Sequence, residues 1–426
     1  MENVIAIGLI LPELTRSVAE EHLDELSKLI ESAGATVTGR VIAKRAAPDP
    51  ATYIGKGKAE EVKHLCEEQQ ATLIVFDDDL SPAQLRNLEK LIGARVIDRS
   101  ALILDIFNSR AKTREARTQV ELAQLEYMLP RLTRAWSHLE RQGGGTSGGG
   151  GGGTGGARRG VGETQLELDR RIVRTRIAKL KEELKHIEKT RETQRRSRGE
   201  GAFTVSLVGY TNAGKSTLFN RLTTGGAEAM DKLFATLDAK SHKIAFEMPR
   251  ETVVIDTVGF IRKLPHHLVA SFRSTMEEAV ASDLVLHVID ASHPQFSEQR
   301  EVGEEVLNDL GVDPLRVVEV YNKADRLDEH FDPQRKQAIL VSALTGRGIE
   351  TLVDAIRVRE REGGELMYLA IPHSEGRLVA QLHQRAEVQD QSTTDEAVVL
   401  TAWVPHDLTH LFRPFAVTPR RAARAS

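Results

Sequence analysis

The run Gly209-Tyr210-Thr211-Asn212-Ala213-Gly214-Lys215-Ser216 sets two glycines five residues apart and follows them with a lysine and a hydroxyl. That spacing curls backbone N–H groups around phosphate oxygens and starts a helix, here with Thr217, whose positive end faces the same anion. Lys215 reaches β- and γ-phosphates, and the Ser216 hydroxyl holds Mg²⁺. Asp256-Thr257-Val258-Gly259 closes the apolar run Thr252–Ile255. A carboxylate at a strand end binds Mg²⁺ through water, and the glycine N–H senses a γ-phosphate. Asn322-Lys323-Ala324-Asp325 follows the apolar run Val317–Tyr321. Asp325 accepts from guanine N1–H and its exocyclic amine. Adenine has no such donor pair, so the pattern selects GTP over ATP. Asn322 supports guanine N7 and the loop, the Lys323 stem covers the ring face, and Ser342-Ala343-Leu344 offers a backbone N–H to guanine O6. Between the phosphate loop and Asp256 lies Phe234-Ala235-Thr236-Leu237-Asp238, in which Thr236 is the candidate to close on Mg²⁺.

Singly, the Asn-Lys-Ala-Asp or Asp-Thr-Val-Gly run is also what a polar loop after a strand looks like. Five elements in this order, on strand ends, are specific. Over about residues 201–362 the set resembles the guanine-nucleotide-binding domain of translation-factor-class GTPases. Lys215, Thr236, Gly259 and Asn212 are the candidate catalytic residues. Many such GTPases carry a glutamine directly after the Asp-x-x-Gly element; here the residue is Phe260. A phenyl ring cannot polarise water, so unstimulated hydrolysis is expected to be slow. Asn212 admits two readings: it shapes the loop, or, as the resemblance to GTPases with a hydrophobic residue at the Phe260 place implies, it helps hold K⁺ beside the phosphates, where a cation stabilises developing charge.

These residues need strands to carry them. The chain has 426 residues, 40% hydrophobic and 28% charged, with a formal net charge of -4. That length fits about three domains, and the balance excludes wholesale disorder. One cysteine, Cys66, excludes an internal disulfide framework and a cysteine-cluster zinc site, and reads as a small apolar helix residue. No segment reaches the about 18 apolar residues of a membrane span, and the apolar start carries Glu2 and no basic residue, so it reads as a strand and not a signal peptide. A cytoplasmic, monomeric protein with no membrane insertion is expected, with peripheral membrane attachment left open.

Residues 1–109 alternate strand-like runs (Val4–Leu11, Val37–Ala43, Thr72–Asp77, Arg95–Asp98) with helical spacing near 17–33, 57–69 and 81–92. This is an α/β pattern with a largely parallel sheet. Residues 110–200 hold 21 Lys and Arg against 12 Asp and Glu, so a near-neutral total hides a basic segment. Within it Leu122, Leu125, Leu129, Leu132, Trp136 and Leu139, then Val173, Ile177, Leu180, Leu184 and Ile187, form two heptad-like seams. Each seam needs an apolar partner, which predicts an antiparallel helical hairpin, kinked or interrupted at Pro130. Gly143–Gly156, with 11 glycines in 14 residues, is either a flexible linker or a hairpin tip that orders against a partner. Arg158 and Arg159 follow it at once, and with Arg170, Arg171 and Arg174 they are the candidate RNA contacts, made to phosphates. Residues 363–426 read as a small unit of strand, helix, strand and short helix: Leu366–Ile371, Arg377–Glu387, Ala397–Val404 and a turn of helix after Pro405, with a basic tail.

The predicted fold class is therefore α/β multidomain: an amino-terminal α/β domain (1–109), a basic helical hairpin with its glycine-rich loop 143–156 (110–200), a P-loop GTPase domain (201–362) and a small α+β carboxy-terminal domain (363–426). Further runs, Tyr53-Ile54-Gly55-Lys56-Gly57-Lys58, Ile97-Asp98-Arg99, Ser109–Ala116 and Arg159-Gly160-Val161-Gly162-Glu163-Thr164-Gln165, complete the layout. Essentially the whole chain resembles the HflX family of ribosome-associated bacterial GTPases. The resemblance implies binding to the large ribosomal subunit and its rRNA, splitting of stalled ribosomes under stress such as heat shock, and GTP hydrolysis serving release. It also implies a possible ATP site in the amino-terminal half, where Tyr53–Lys58 otherwise reads as a tight turn before a helix. Two other functions remain open: a ribosome-assembly GTPase, and an ATP-driven rRNA-remodelling protein using the amino-terminal half.

Overall fold

The computed structural model describes residues 2–132, 157–199, 202–224, 233–234, 240–263, 276, 280–327, 331, 338–406 and 408–418, with backbone only at 157–166, 188 and 191–199. The chain divides into two compact units, Met1–Lys189 with Asp231–Leu237 and Lys263–Arg273, and Thr190–Met230 with Asp238–Arg262 and Ser274–Ser426.

The first unit opens with β1 (Asn3–Ile10), α1 (Arg16–Ser32), β2 (Thr36–Lys44), α2 (Lys56–Gln69), β3 (Leu73–Phe76), α3 (Pro82–Ile92) and β4 (Arg95–Asp98). The strands form a parallel sheet in the order β2-β1-β3-β4. β1 is a continuous apolar run and is buried along nearly its whole length, as a parallel strand covered on both faces must be. Local signals set the helix ends. Ser81 and Gln84 close a capping box around Pro82, and Gly93 ends α3 at φ 83°. Tyr53–Lys58 forms the turn into α2, with Tyr53 at φ 64° and Gly55 at φ 87°.

The sequence pattern does not anticipate α4 (Arg99–Arg110), whose apolar residues are buried on more than one side. Asp98 starts it by accepting from Ala101 N–H at 2.9 Å. The Ile97-Asp98-Arg99 run is thereby a buried charge knot. Arg99, 1% exposed, donates to Asp77 at 2.6 Å and pairs with Glu25, while Asp98 accepts from Tyr127 and Arg131, each at 2.8 Å. The later segments of this unit join the same region. Lys263 Nζ reaches Asp77 Oδ2 at 2.8 Å and also Asp78, Leu233 N–H donates to Ser32, and Phe234 meets Phe107 edge-on at 4.7 Å.

α5 (Arg114–Met128) and α6 (Ala157–Gly199) form the helical pair. Thr113 caps α5. Leu122, Leu180 and Leu184 are buried between them, flanked by Leu125, Ile177 and Ile187. Arg114 pairs with Glu183 and Arg176 with Glu121, so the partners run in opposite senses along the chain, as an antiparallel hairpin requires. α5 stops at Met128, just ahead of Pro130, and Arg131 and Leu132 N–H both turn back to Met128 O. The expected seam residues Trp136 and Leu139, and the loop 143–156, lie outside the described residues.

The second unit carries a six-stranded sheet in the order β10-β9-β8-β5-β7-β6: β5 (Phe203–Gly209), β6 (Lys240–Lys243), β7 (Thr252–Asp256), β8 (Leu284–Asp290), β9 (Val317–Asn322) and β10 (Ile339–Leu340). All pairings are parallel except β6 on β7. The helices are α7 (Lys215–Leu222), α8 (Phe296–Asp309) and α9 (Ile349–Glu362). Phe203, Val205, Leu207, Leu218, Leu222, Leu286, Leu352 and Ile356 are among the residues of its core. Beyond α9 come β11 (Gly364–Pro372), α10 (Gly376–Arg385), β12 (Glu387–Thr393) and β13 (Ala397–Pro405), the strands forming an antiparallel sheet β11-β13-β12. The sequence reading ends the helix at Glu387 and has no β12. That strand has a single apolar residue, Val388, because it is an edge strand with mostly solvent-facing side chains. Glu360, fully buried at the end of α9, joins the two sheets' surroundings by taking Arg250 N–H at 3.1 Å, while the Arg250 guanidinium lies over Phe203 and Trp403.

Candidate functional site

Every element of the nucleotide signature in the second unit stands at a strand's carboxyl end, where open α/β sheets bind ligands. β5 delivers Gly209 at φ 144°, where a Cβ would collide with the Val288 carbonyl. Gly214 has φ 92°, and a Cβ there would collide with Asn322 Nδ2. Only glycine fits either place. α7 begins at Lys215 directly behind Gly214. Asn212, in the left-handed region at φ 62°, is exposed at the loop tip, and Thr217 is half-buried in the first turn of α7.

The Lys215 ammonium is buried and donates to Gly209 O at 3.0 Å and Tyr210 O at 2.8 Å. Burial pulls it down to about 8, against the opposing influence of Asp256. Bound phosphate oxygens would replace those carbonyls as partners and hold the charge more firmly. Ser216 Oγ donates to Asp256 Oδ2 at 2.7 Å, with Asp256 wholly buried at the end of β7. A hydroxyl and a carboxylate oxygen together are the donor chemistry that a hard cation needs. Mg²⁺ takes few protein ligands and completes its shell with water and phosphate, and the described residues hold no cluster of three His, Cys, Asp or Glu that would suit another metal. The residues fit Mg²⁺, which Ser216 and Asp256 would hold and which would supply positive charge to the phosphates of a bound nucleotide.

Thr257 Oγ1 donates to Leu207 O at 2.7 Å and fixes the strand end, and Val258 is buried. Gly259 lies against the phosphate loop; a Cβ on it would stand 2.8 Å from Lys215 Nζ. Phe260 N–H donates to Gly209 O at 2.9 Å, Thr211 N–H donates to Phe260 O at 2.7 Å, and the Tyr210 hydroxyl accepts from Arg262 N–H at 2.9 Å. Residues 259–262 are thus stitched to the phosphate loop.

On the base side, Asn322 Nδ2 donates to Ala213 O at 2.9 Å and Oδ1 accepts from Ala343 N–H at 3.0 Å. Lys323, at φ 64°, reaches Asp290 Oδ2 at 2.6 Å. Ser342 Oγ donates to Asp325 Oδ1 at 2.5 Å, and this bond holds the Asp325 carboxyl below the usual carboxylate range. Leu344 is 67% exposed, and Arg221 from α7 binds its carbonyl and that of Ala343. The structure therefore gathers the loop 209–217, Asp256–Gly259, Asn322–Asp325 and Ser342–Leu344 in one place. Phe234 belongs to the other unit, where it packs on Phe107. Ala235 and Thr236 lie outside the described residues, as do the side chains of Arg158 and Arg159. Arg171 and Arg174 are exposed on α6 and Arg170 is half-buried. The sequence reading misses Asp290, Arg221 and the Tyr210 hydroxyl's bond. Asp290 at a strand end was a usable signal; the other two bind backbone atoms and leave none.

Three family descriptions match along the chain: "GTP-binding GTPase N-terminal" over residues 20–108, "GTP-binding GTPase Middle Region" over 110–198 and "50S ribosome-binding GTPase" over 204–323. The chain is 44% identical to the GTPase HflX of Magnetococcus marinus, across 91% of this chain and 89% of that one. It is 43% identical to the GTPase HflX of Escherichia coli, across 89% and 88%. Among solved structures it is similar to a GTP-binding protein from the hyperthermophilic archaeon Sulfolobus solfataricus in complex with GDP, at 25% identity over 84% of this chain and 98% of that one, with a TM-score of 0.44. No described helix is long and apolar enough to cross a membrane. With identity of this extent over almost its full length, and with the loops of the nucleotide signature gathered at one end of its sheet, the chain belongs to the HflX family and is a GTPase.

Proposed function

We propose that the protein is a nucleotide-gated factor that binds the large ribosomal subunit and splits stalled ribosomes under stress such as heat shock. The observation that carries this reading is the pairing of a GTP switch with a basic helical arm. Residues 110–200 have an excess of nine positive charges, and α6 keeps Arg171 and Arg174 exposed. The match of residues 204–323 to a family described as 50S ribosome-binding GTPases supports the same partner. With GTP bound, Thr236 would help hold Mg²⁺ and the Gly259–Phe260 region would read the γ-phosphate, and in that state the hairpin grips rRNA phosphates, with Arg158, Arg159, Arg170, Arg171 and Arg174 as the contacts. Binding energy displaces subunit bridges. Hydrolysis then lowers affinity and releases the factor, since coupling is a difference in affinity between two states.

The four regions 1–109, 110–200, 201–362 and 363–426 divide this work as arm base, arm, switch and appendix. Asn212 at the exposed loop tip would hold K⁺ beside the phosphates, so hydrolysis should be faster in potassium than in sodium buffer. The protein acts in the cytoplasm as a ribosome-bound monomer. ATP at the Tyr53–Lys58 turn is a secondary branch of the reading.

The test is a sucrose-gradient profile of assembled ribosomes mixed with the protein and GTP, a non-hydrolysable analogue, or GDP. Splitting with GTP and the analogue but not GDP is expected, and Lys215→Ala should abolish it. Full splitting by that variant would remove the gate from the account. Action confined to precursor subunits would favour an assembly role instead.

A further inference from the structure

Thr211, the third residue of the phosphate loop, is 6% exposed, and its hydroxyl oxygen is buried without a hydrogen-bond partner among the described residues. Its backbone N–H is already committed to Phe260 O. Its surroundings are tight: a Cβ on Gly259 would stand 2.9 Å from Thr211 Cα and Cγ2 and 2.8 Å from Lys215 Nζ. The threonine side chain, the Gly259 backbone and the Lys215 ammonium therefore meet at one point. The lysine and the glycine N–H are the groups that read a γ-phosphate, so this point is where the reacting phosphoryl group must come.

A buried hydroxyl with no partner costs about 1–3 kcal/mol. Valine has the same shape and would not incur that cost. The protein thus keeps a group that works against its own folding at the place of reaction, and a buried unpaired polar group at such a place calls for an explanation, a catalytic role or a bound water among them. Phe260 supplies the complementary fact. Its ring is 2% exposed, and both its N–H and its carbonyl are tied to the phosphate loop. Its side chain has no polar atom to hold a water.

We infer that the Thr211 hydroxyl holds the water that attacks GTP, in place of the amide that Phe260 lacks. In that step the water oxygen bonds to the γ-phosphorus while the bond from γ-phosphorus to the β–γ bridging oxygen breaks. The electron pair leaves with GDP, and the proton released by the water goes to the phosphate product. Thr211 accepts a hydrogen bond from the water and neither gains nor loses a proton.

The test compares Thr211→Val, which removes the hydroxyl, with Thr211→Ser, which keeps it, in the full-length protein. Single-turnover GTP hydrolysis, affinity for a non-hydrolysable GTP analogue and melting temperature are measured for each. Thr211→Val should lower the hydrolysis rate about tenfold, the worth of one hydrogen bond at the transition state, with analogue affinity within about twofold of the parent. Its melting temperature should equal or exceed the parent's, and Thr211→Ser should retain the rate. An unchanged rate in Thr211→Val overturns the inference. So does a loss of analogue affinity as large as the loss of rate, which would make the hydroxyl a ground-state phosphate contact.

Discussion

The side-chain amide of Asn322 donates to the main-chain oxygen of Ala213 at 2.9 Å, joining the turn 322–325 to the loop 209–216. Its other end accepts from Ala343 N–H, so one buried side chain spans three segments of the site. Asn322→Ala would leave a buried N–H and a buried carbonyl unsatisfied, at about 1–3 kcal/mol each. GTP and GDP affinity should fall together, by roughly tenfold or more, in isothermal titration. A loss confined to GTP would mean that Asn322 acts at the γ-phosphate and not as a brace.

Asp325 is held ionised by Ser342, so in the proposed pocket it would offer only acceptors to a guanine base. Asn at that position presents one acceptor and one donor. Guanine's amine then loses its partner, whereas the 2-oxo group of xanthine gains one. Asp325→Asn should weaken GTP by a hundredfold or so and strengthen xanthosine triphosphate, on the order expected where a polar site rejects an unmatched ligand. Competition between the two triphosphates measures the exchange directly. Equal weakening of both would show that the loop had lost its shape.

The Tyr210 hydroxyl anchors Arg262 N–H just before Lys263, which adopts φ 54°. Loss of one neutral hydrogen bond is worth about 1 kcal/mol. Tyr210→Phe should therefore lower affinity for a non-hydrolysable GTP analogue about fivefold while leaving GDP within about twofold. Titration with fluorescent nucleotides reads both values. Identical behaviour of Tyr210→Phe and the parent protein would reduce the hydroxyl to a spectator.

Burial pushes the Glu360 carboxyl up to about 7, against the lowering influence of Arg250. In an unfolded chain glutamate titrates near about 4.3. Between those values the folded protein keeps a proton that the unfolded chain has lost, so stability falls as pH rises. The contribution is complete below the unfolded value and gone above about 7. The melting temperature should decline from pH 5 to pH 8, and Glu360→Gln should flatten that decline. Parallel pH profiles for the two proteins would place the dependence elsewhere.

The nucleotide site was legible because its chemistry is fixed to a spacing. Gly209, Gly214, Lys215 and Ser216 stand out without a structure because glycines at that interval let the backbone curl, and the lysine and hydroxyl that follow suit a phosphate and a cation. Helices α1 to α3 were legible for a similar reason: periodic apolar residues and recognisable caps such as Ser81 with Gln84. What escaped lacks a local period. α4 is buried around much of its circumference, so it has no polar stripe to set its phase. β12 has too few apolar residues to alternate. Arg221 on Ala343 O is a contact between positions 122 residues apart, which only the folded sheet brings together.

The helical arm is clamped by Arg114–Glu183, Arg176–Glu121 and Lys181–Glu126, all at least partly open to solvent, around three buried leucines. Surface pairs of this kind are individually weak and fade as ions crowd around them. The three pairs therefore set the register of the two helices more than their strength, and high salt should leave the packing of the buried leucines in place. Those three cations are committed to the clamp, so the positive charge the arm has left for any other contact comes from its remaining lysines and arginines, Arg171 and Arg174 among them.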